Sequence, residues 1–190
     1  MTVILDDGER VADLPSDPAT AARVVRIDGY ADLRGYAHPL PALRRIDGWA
    51  ILRDYAHALP DGLIVGGALD LSGCTALTAL PDGLTVRGWL DLTGCTGLTA
   101  LPDGLSVGAS IDLRGCTGLD HYCVGRDARG YAFYGIPMRD GPHVVAGCRN
   151  FTGAQALAHW GPGGESDRPD CLALAQKAIV LIERSKEVWT

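Results

Sequence analysis

Residues 80–100 read LPDGLTVRGWLDLTGCTGLTA, and the fold is decided here. The same frame stands before it as LPDGLIVGGALDLSGCTALTA (59–79) and after it as LPDGLSVGASIDLRGCTGLDH (101–121). Two degenerate units come earlier, RIDGYADLRGYAHPLPAL (26–43) and RIDGWAILRDYAHALPDGL (45–63). Tyr36, Tyr55, Cys74, Cys95 and Cys116 are equivalent, so the spacing is 19 residues in the first two steps and 21 in the last two. Self-similarity at such a period marks stacked coils, each burying its apolar side only against its neighbours.

Within one coil, Trp89-Leu90-Asp91-Leu92-Thr93 alternates. Leu90 and Leu92 point inward, and Trp89, Asp91 and Thr93 point outward. Cys95 follows a Gly turn and points back inside, where a small thiol donates weakly to a carbonyl. Tyr36 and Tyr55 are too large for that role, so the first two coils are expected to be wider or differently turned there. Pro102 fixes a turn, and Asp-Gly beside it is a further turn signal.

The recurring L-x-L-x-x-C-x-x-L-x-x-L-P frame resembles the leucine-rich repeat, in its short bacterial form with Leu-Pro in each coil. The resemblance covers about half of the chain. It implies an α/β solenoid with one short parallel strand per coil and a protein-binding role. The residues also permit a closed β-solenoid with two strands per coil, because Leu-Thr-Val and Trp-Leu-Asp-Leu flank Arg87-Gly88.

Three units follow from this reading: an N-terminal cap (1–24), five coils (25–121) and a C-terminal ββαα unit (122–190). Thr2–Leu5 reads as a strand of the cap, and Asp17-Pro18 as a helix start. In the C-terminal unit, Tyr131 to Ile136 and His143 to Cys148 read as strands joined by an Arg139-Asp140-Gly141 turn. Thr152 caps a short helix, and a longer one starts near Asp170. The segment AGCRNFT…ALAHWG resembles a stretch of uncharacterised bacterial and phage proteins, which implies no activity.

The chain has 190 residues, a formal net charge of -6, 47% hydrophobic and 21% charged residues, and 25 Gly. That is a folded chain, and its acidity argues against direct nucleic-acid binding. Residues 59–120 carry 2 basic and 7 acidic side chains, so the acidity belongs to the regular coils. No apolar run approaches the roughly 20 residues of a membrane span. The acidic start has no signal-peptide layout, so a cytoplasmic location with reduced thiols is expected.

Outward positions form columns one strand spacing apart, about 4.8 Å. The first is Tyr30, Trp49, Ala68, Trp89, Ser110. The second is Asp32, Ile51, Asp70, Asp91, Asp112. The third is Arg34, Arg53, Ser72, Thr93, Arg114. Exposed aromatics beside stacked carboxylates suit recognition of a protein with a basic patch. The candidate contacts are Tyr30, Trp49, Trp89, Asp70, Asp91, Asp112 and Arg114. Asp61, Asp82 and Asp103 form another column that the Pro-Asp-Gly turns explain.

Catalytic signatures are absent: there is no G-x-S-x-G elbow and no phosphate loop. Cys148 with His143 or His159 is a thiol and base by residue type alone. His121, Cys123, His143, Cys148, His159 and Cys171 have irregular spacing for zinc, so no metal or other cofactor is assigned. Arg126, Arg129, Arg139 and Arg149 make a local basic group interrupted by Asp127 and Asp140. The leading expectation is a non-enzymatic binding module, such as a bacterial or phage accessory factor or inhibitor. The alternatives are a ligand, metal or catalytic site in the C-terminal unit, and end-to-end structural assembly.

Overall fold

The structure, a computed structural model, describes residues 1–102, 104–138, 141–146, 149–166 and 168–188, without the side chains of 120, 121, 137 and 184–188. Asp103, the Arg139-Asp140 pair, Cys148 and the His121 side chain therefore lie outside the described residues.

The coils form a β-solenoid in which each contributes two short strands. One set is β3 (Val24–Asp28), β5 (Arg45–Ile46), β7 (Ile64–Val65), β9 (Thr85–Val86) and β11 (Ser106–Val107). The other is β4 (Ala31–Asp32), β6 (Ala50–Ile51), β8 (Leu69–Asp70), β10 (Leu90–Asp91) and β12 (Ile111–Asp112). Each set pairs in parallel from coil to coil. The expected single strand per coil is thus corrected to two. Among the described residues, no α-helix lies within the coils. The corner between the sheets explains the second strand. Gly67 N–H donates to the Gly48 carbonyl at 2.9 Å and Gly88 N–H to the Gly67 carbonyl at 2.9 Å, so the ladder runs through the bend. A Cβ on Gly67 would overlap Cδ1 of Trp49 and sit 2.9 Å from the Gly48 carbonyl carbon, which is why the corner is glycine.

Inside, the columns are continuous. Ile27, Ile46, Val65, Val86 and Val107 line one wall, and Leu33, Leu52, Leu71, Leu92 and Leu113 another; all are buried. The thiols close the third corner as expected. Cys74 Sγ donates to the Leu52 carbonyl at 3.2 Å, Cys95 to Leu71 at 3.1 Å and Cys116 to Leu92 at 2.9 Å. In the two shorter coils the Tyr hydroxyls reach out instead. Tyr36 donates to the Pro15 carbonyl at 2.7 Å and Tyr55 to that of His38 at 3.2 Å. Each ring meets the imidazole two residues on, edge to face.

Before the coils, β1 (Thr2–Leu5) pairs antiparallel with β2 (Arg10–Val11) and with β3. The Asp17 carboxylate caps α1 (Pro18–Ala21) by accepting from Thr20 N–H at 2.9 Å.

After the coils comes a four-stranded antiparallel sheet: β13 (Cys123–Arg126), β14 (Ala132–Met138), β15 (Gly141–Ala146) and β16 (Arg149–Thr152). Two helices follow, α2 (Gly153–Trp160) and α3 (Pro169–Val188). The sheet has four strands where sequence reading found two. β13 is interrupted by a bulge at Cys123/Gly125 and β16 is Arg-Asn-Phe-Thr, so neither shows a long apolar alternation. Thr152 caps α2 in a reciprocal box with Gln155. One sheet face, with Tyr134, Ile136, Met138 and Val145, joins the solenoid core. The other, with Val124, Phe133 and Val144, packs on Ala156, Trp160, Cys171, Ala175 and Ala178 of the helices. The sheet thus covers the open end of the last coil.

Candidate functional site

The outward face of β4, β6, β8, β10 and β12 carries the candidate contacts. Strand register sets Asp32, Ile51, Asp70, Asp91 and Asp112 in one row. Immediately before these strands stand Tyr30, Trp49 and Trp89, exposed by 47%, 59% and 37%. Trp49 and Trp89 belong to coils separated by one coil, yet their rings meet at 6.5 Å, inclined by 67°. Ala68, between them in the column, is buried. A methyl group at that place leaves room for two indoles to close over it.

The aspartate row has a structural use. Each carboxylate accepts the backbone N–H two residues on: Asp32 from Arg34 at 3.1 Å, Asp70 from Ser72 at 3.0 Å, Asp91 from Thr93 at 2.8 Å and Asp112 from Arg114 at 3.1 Å. The side chain thereby closes the turn that leaves the strand. Three of these carboxylates also hold a guanidinium. Arg34 pairs with Asp32 at 2.5 Å, Arg53 with Asp70 at 2.6 Å and Arg114 with Asp112 at 2.6 Å.

Asp70 is a correction to the sequence reading. Expected as a surface contact, its side chain is only 6% exposed, covered by Arg53 of the preceding coil. Burial alone would raise its pKa, but hydrogen bonds from Arg53 and Ser72 outweigh it and hold the carboxyl below its ordinary range. Among the described residues, Asp91 has no guanidinium partner. The face therefore presents an aromatic patch, one carboxylate without an ion pair, and Arg-Asp pairs at its margins.

In the C-terminal unit the candidate metal ligands do not converge among the described residues. His143 is buried and its Nδ1 lies 2.8 Å from Oδ1 of Asn150. Cys171 is buried beside Asp127, and burial pushes its thiol pKa up. His159 stacks on Phe151 with centroids 4.9 Å apart. Among the described residues, no three His, Cys, Asp or Glu side chains are grouped to hold a metal ion. No described helix is long and apolar enough to cross a membrane.

Sequence reading missed two features. Arg53 as the partner of Asp70 lies 17 residues upstream and becomes visible only once coils are stacked. A cleft bounded by Arg129, Tyr131, Arg149, His159, Trp160 and Ser166 is also new. Its signal in sequence was the scattered arginine group, which gives no hint of convergence. No family model matches this chain, and no curated protein or solved structure matches it significantly.

Proposed function

We propose that this chain is a non-enzymatic protein-binding module that takes its partner on the outward face of β4, β6, β8, β10 and β12. The observation that carries the reading is the Trp49–Trp89 pair. Two large apolar rings stay exposed on a regular sheet while locked against each other, so their burial by a partner costs little side-chain entropy. Tyr30 extends the patch, and Asp91 sets a carboxylate at its edge. Arg114 and Asp112, already paired, form its rim.

The coils from 59 to 120 are acidic, which favours a partner with a basic group beside an apolar pocket. A regular solenoid, with outward side chains in rows along stacked strands, offers the extended surface that repeat proteins use for binding.

Immobilised wild type is compared with Trp49→Ala/Trp89→Ala and Asp91→Ala as bait, at low and high salt, and the retained protein is then purified for direct titration. The expected result is stoichiometric binding that falls about tenfold or more in the double-Trp variant at unchanged melting temperature, and weakens with salt. A partner retained equally by all three baits moves binding off this face. Self-association of wild type that the double-Trp variant abolishes replaces the basic partner by a second copy.

A further inference from the structure

A second site emerges where the helices leave part of the C-terminal sheet uncovered. A cleft of about 260 Å³ lies there. Tyr131, half exposed, supplies a flat apolar wall, and the buried Phe133 of β14 and Trp160 of α2, packed on each other with centroids 5.0 Å apart, supply the floor. Arg129, Arg149, His159 and Ser166 supply the polar groups.

These polar groups have more donors than acceptors. Arg149 Nη1 lies 3.2 Å from His159 Nε2, and Ser166 Oγ lies 3.1 Å from the same nitrogen. The other ring nitrogen, Nδ1, faces Oε2 of Glu165 at 3.2 Å. A proton on Nδ1 serves that carboxylate and leaves Nε2 with one lone pair for two donors. Among the described residues, Arg149 has no carboxylate partner, so a guanidinium with five N–H groups is held by one imidazole nitrogen. Across the cleft, Arg129 is fixed. The fully buried Asp127 carboxylate binds its Nη2 at 2.8 Å and its Nε at 3.0 Å, and the guanidinium lies 5.1 Å from the Tyr131 ring centroid. Glu165 does not line this cleft; it lines a neighbouring one on the other side of His159.

Ser166, His159 and Glu165 also follow each other as nucleophile, base and acid do in acyl transfer. The nitrogen that would take the serine proton already faces Arg149, which has no place in that chemistry and a clear one in anion binding.

We propose that this cleft binds a small organic anion, a carboxylate or phosphate carried on a flat apolar group. The oxyanion takes the free donors of Arg149 and Ser166 together with Arg129, and the apolar body lies against the exposed Tyr131 ring, above the floor made by Phe133 and Trp160. The volume falls just below the usual range of small-molecule sites, roughly 300–1,000 Å³, so it suits one ring at most and excludes a dinucleotide. The proposal is independent of the protein-binding face.

Phenyl phosphate, benzoate, inorganic phosphate and phenol are titrated into the full chain by calorimetry and by the indole N–H resonance of Trp160. Phenyl phosphate or benzoate is expected to bind one to one with a Kd of about 1 mM or tighter. The stronger of the two identifies the anion as phosphate or carboxylate. Inorganic phosphate is expected about tenfold weaker, since it lacks the stacked ring, and phenol weaker still. Arg149→Gln should weaken binding about tenfold or more at unchanged melting temperature, and Ser166→Ala by less. Should Arg149→Gln fail to fold, Arg149→Lys, which keeps the charge without the planar fork, takes its place and should still weaken binding. No saturable response to either aryl anion at about 10 mM, binding indifferent to the Arg149 substitution, or phenol binding as well as benzoate overturns the proposal.

Discussion

Trp49 and Trp89 stand in alternate coils and close edge to face over Ala68, the residue between them in the stack. Their contact joins three coils on the solvent side, so it stabilises the stack as well as shaping a surface. Unfolding in urea of Trp49→Ala, Trp89→Ala and the double variant should show a coupling energy of about 0.5–1.5 kcal/mol. Additive single effects would mean that the rings do not hold each other in solution.

The thiol column makes stability fall in alkali. Burial pushes the Cys95 thiol up to about 12 and the Cys116 thiol up to about 11, and it raises Cys74 as well. In the unfolded chain these groups ionise near about pH 8.5. The folded state keeps them neutral, so their contribution is complete below that value and is lost as pH rises through the folded values. The melting temperature should decline between about pH 8.5 and 11, and less steeply in Cys95→Ala/Cys116→Ala. At pH 8 the three thiols should resist an aromatic disulfide reagent until the chain is unfolded.

Asp70 acts in the opposite direction. Burial raises its pKa, but Arg53 and Ser72 lower it further, so the folded carboxyl is more acidic than the unfolded one. Its contribution is present above about pH 4 and is lost as pH falls through the folded value. Asp70→Asn should cost about 1–3 kcal/mol at neutral pH and flatten the acid limb of the stability profile. Asp91→Asn should cost about 0.5 kcal/mol or less, since an amide oxygen still accepts the Thr93 N–H.

Asp54 occupies the turn position that is Gly35, Gly73, Gly94 and Gly115 in the other coils, and it holds φ at 59°. A side chain in that region is strained, and Gly removes the strain at some cost in unfolded-state entropy. Asp54→Gly should stabilise the protein by about 0.5–1 kcal/mol in denaturant unfolding. Gly94→Ala, at φ 74°, should destabilise it.

The sequence alone determined the period, the inward columns and the outward rows. Each rests on a local rule repeated from coil to coil: alternation puts Leu90 and Leu92 inside, and in the last three coils a small thiol fits the corner after a Gly turn. It left the strand count per coil open, because runs such as Thr85–Val86 and Leu90–Asp91 are two residues long and show no periodicity by themselves. Stacking decided that question, by continuing the hydrogen-bond ladder through the glycine corner. Stacking also buried Asp70 beneath Arg53 and brought Trp49 to Trp89, since both contacts cross between coils. The cleft of Arg129, Arg149, His159 and Ser166 was decided by tertiary structure in the same way. Its residues come from two turns, an edge strand and a helix, and only packing of α2 against the antiparallel sheet brings Arg149, His159 and Ser166 within hydrogen-bond reach beside Arg129.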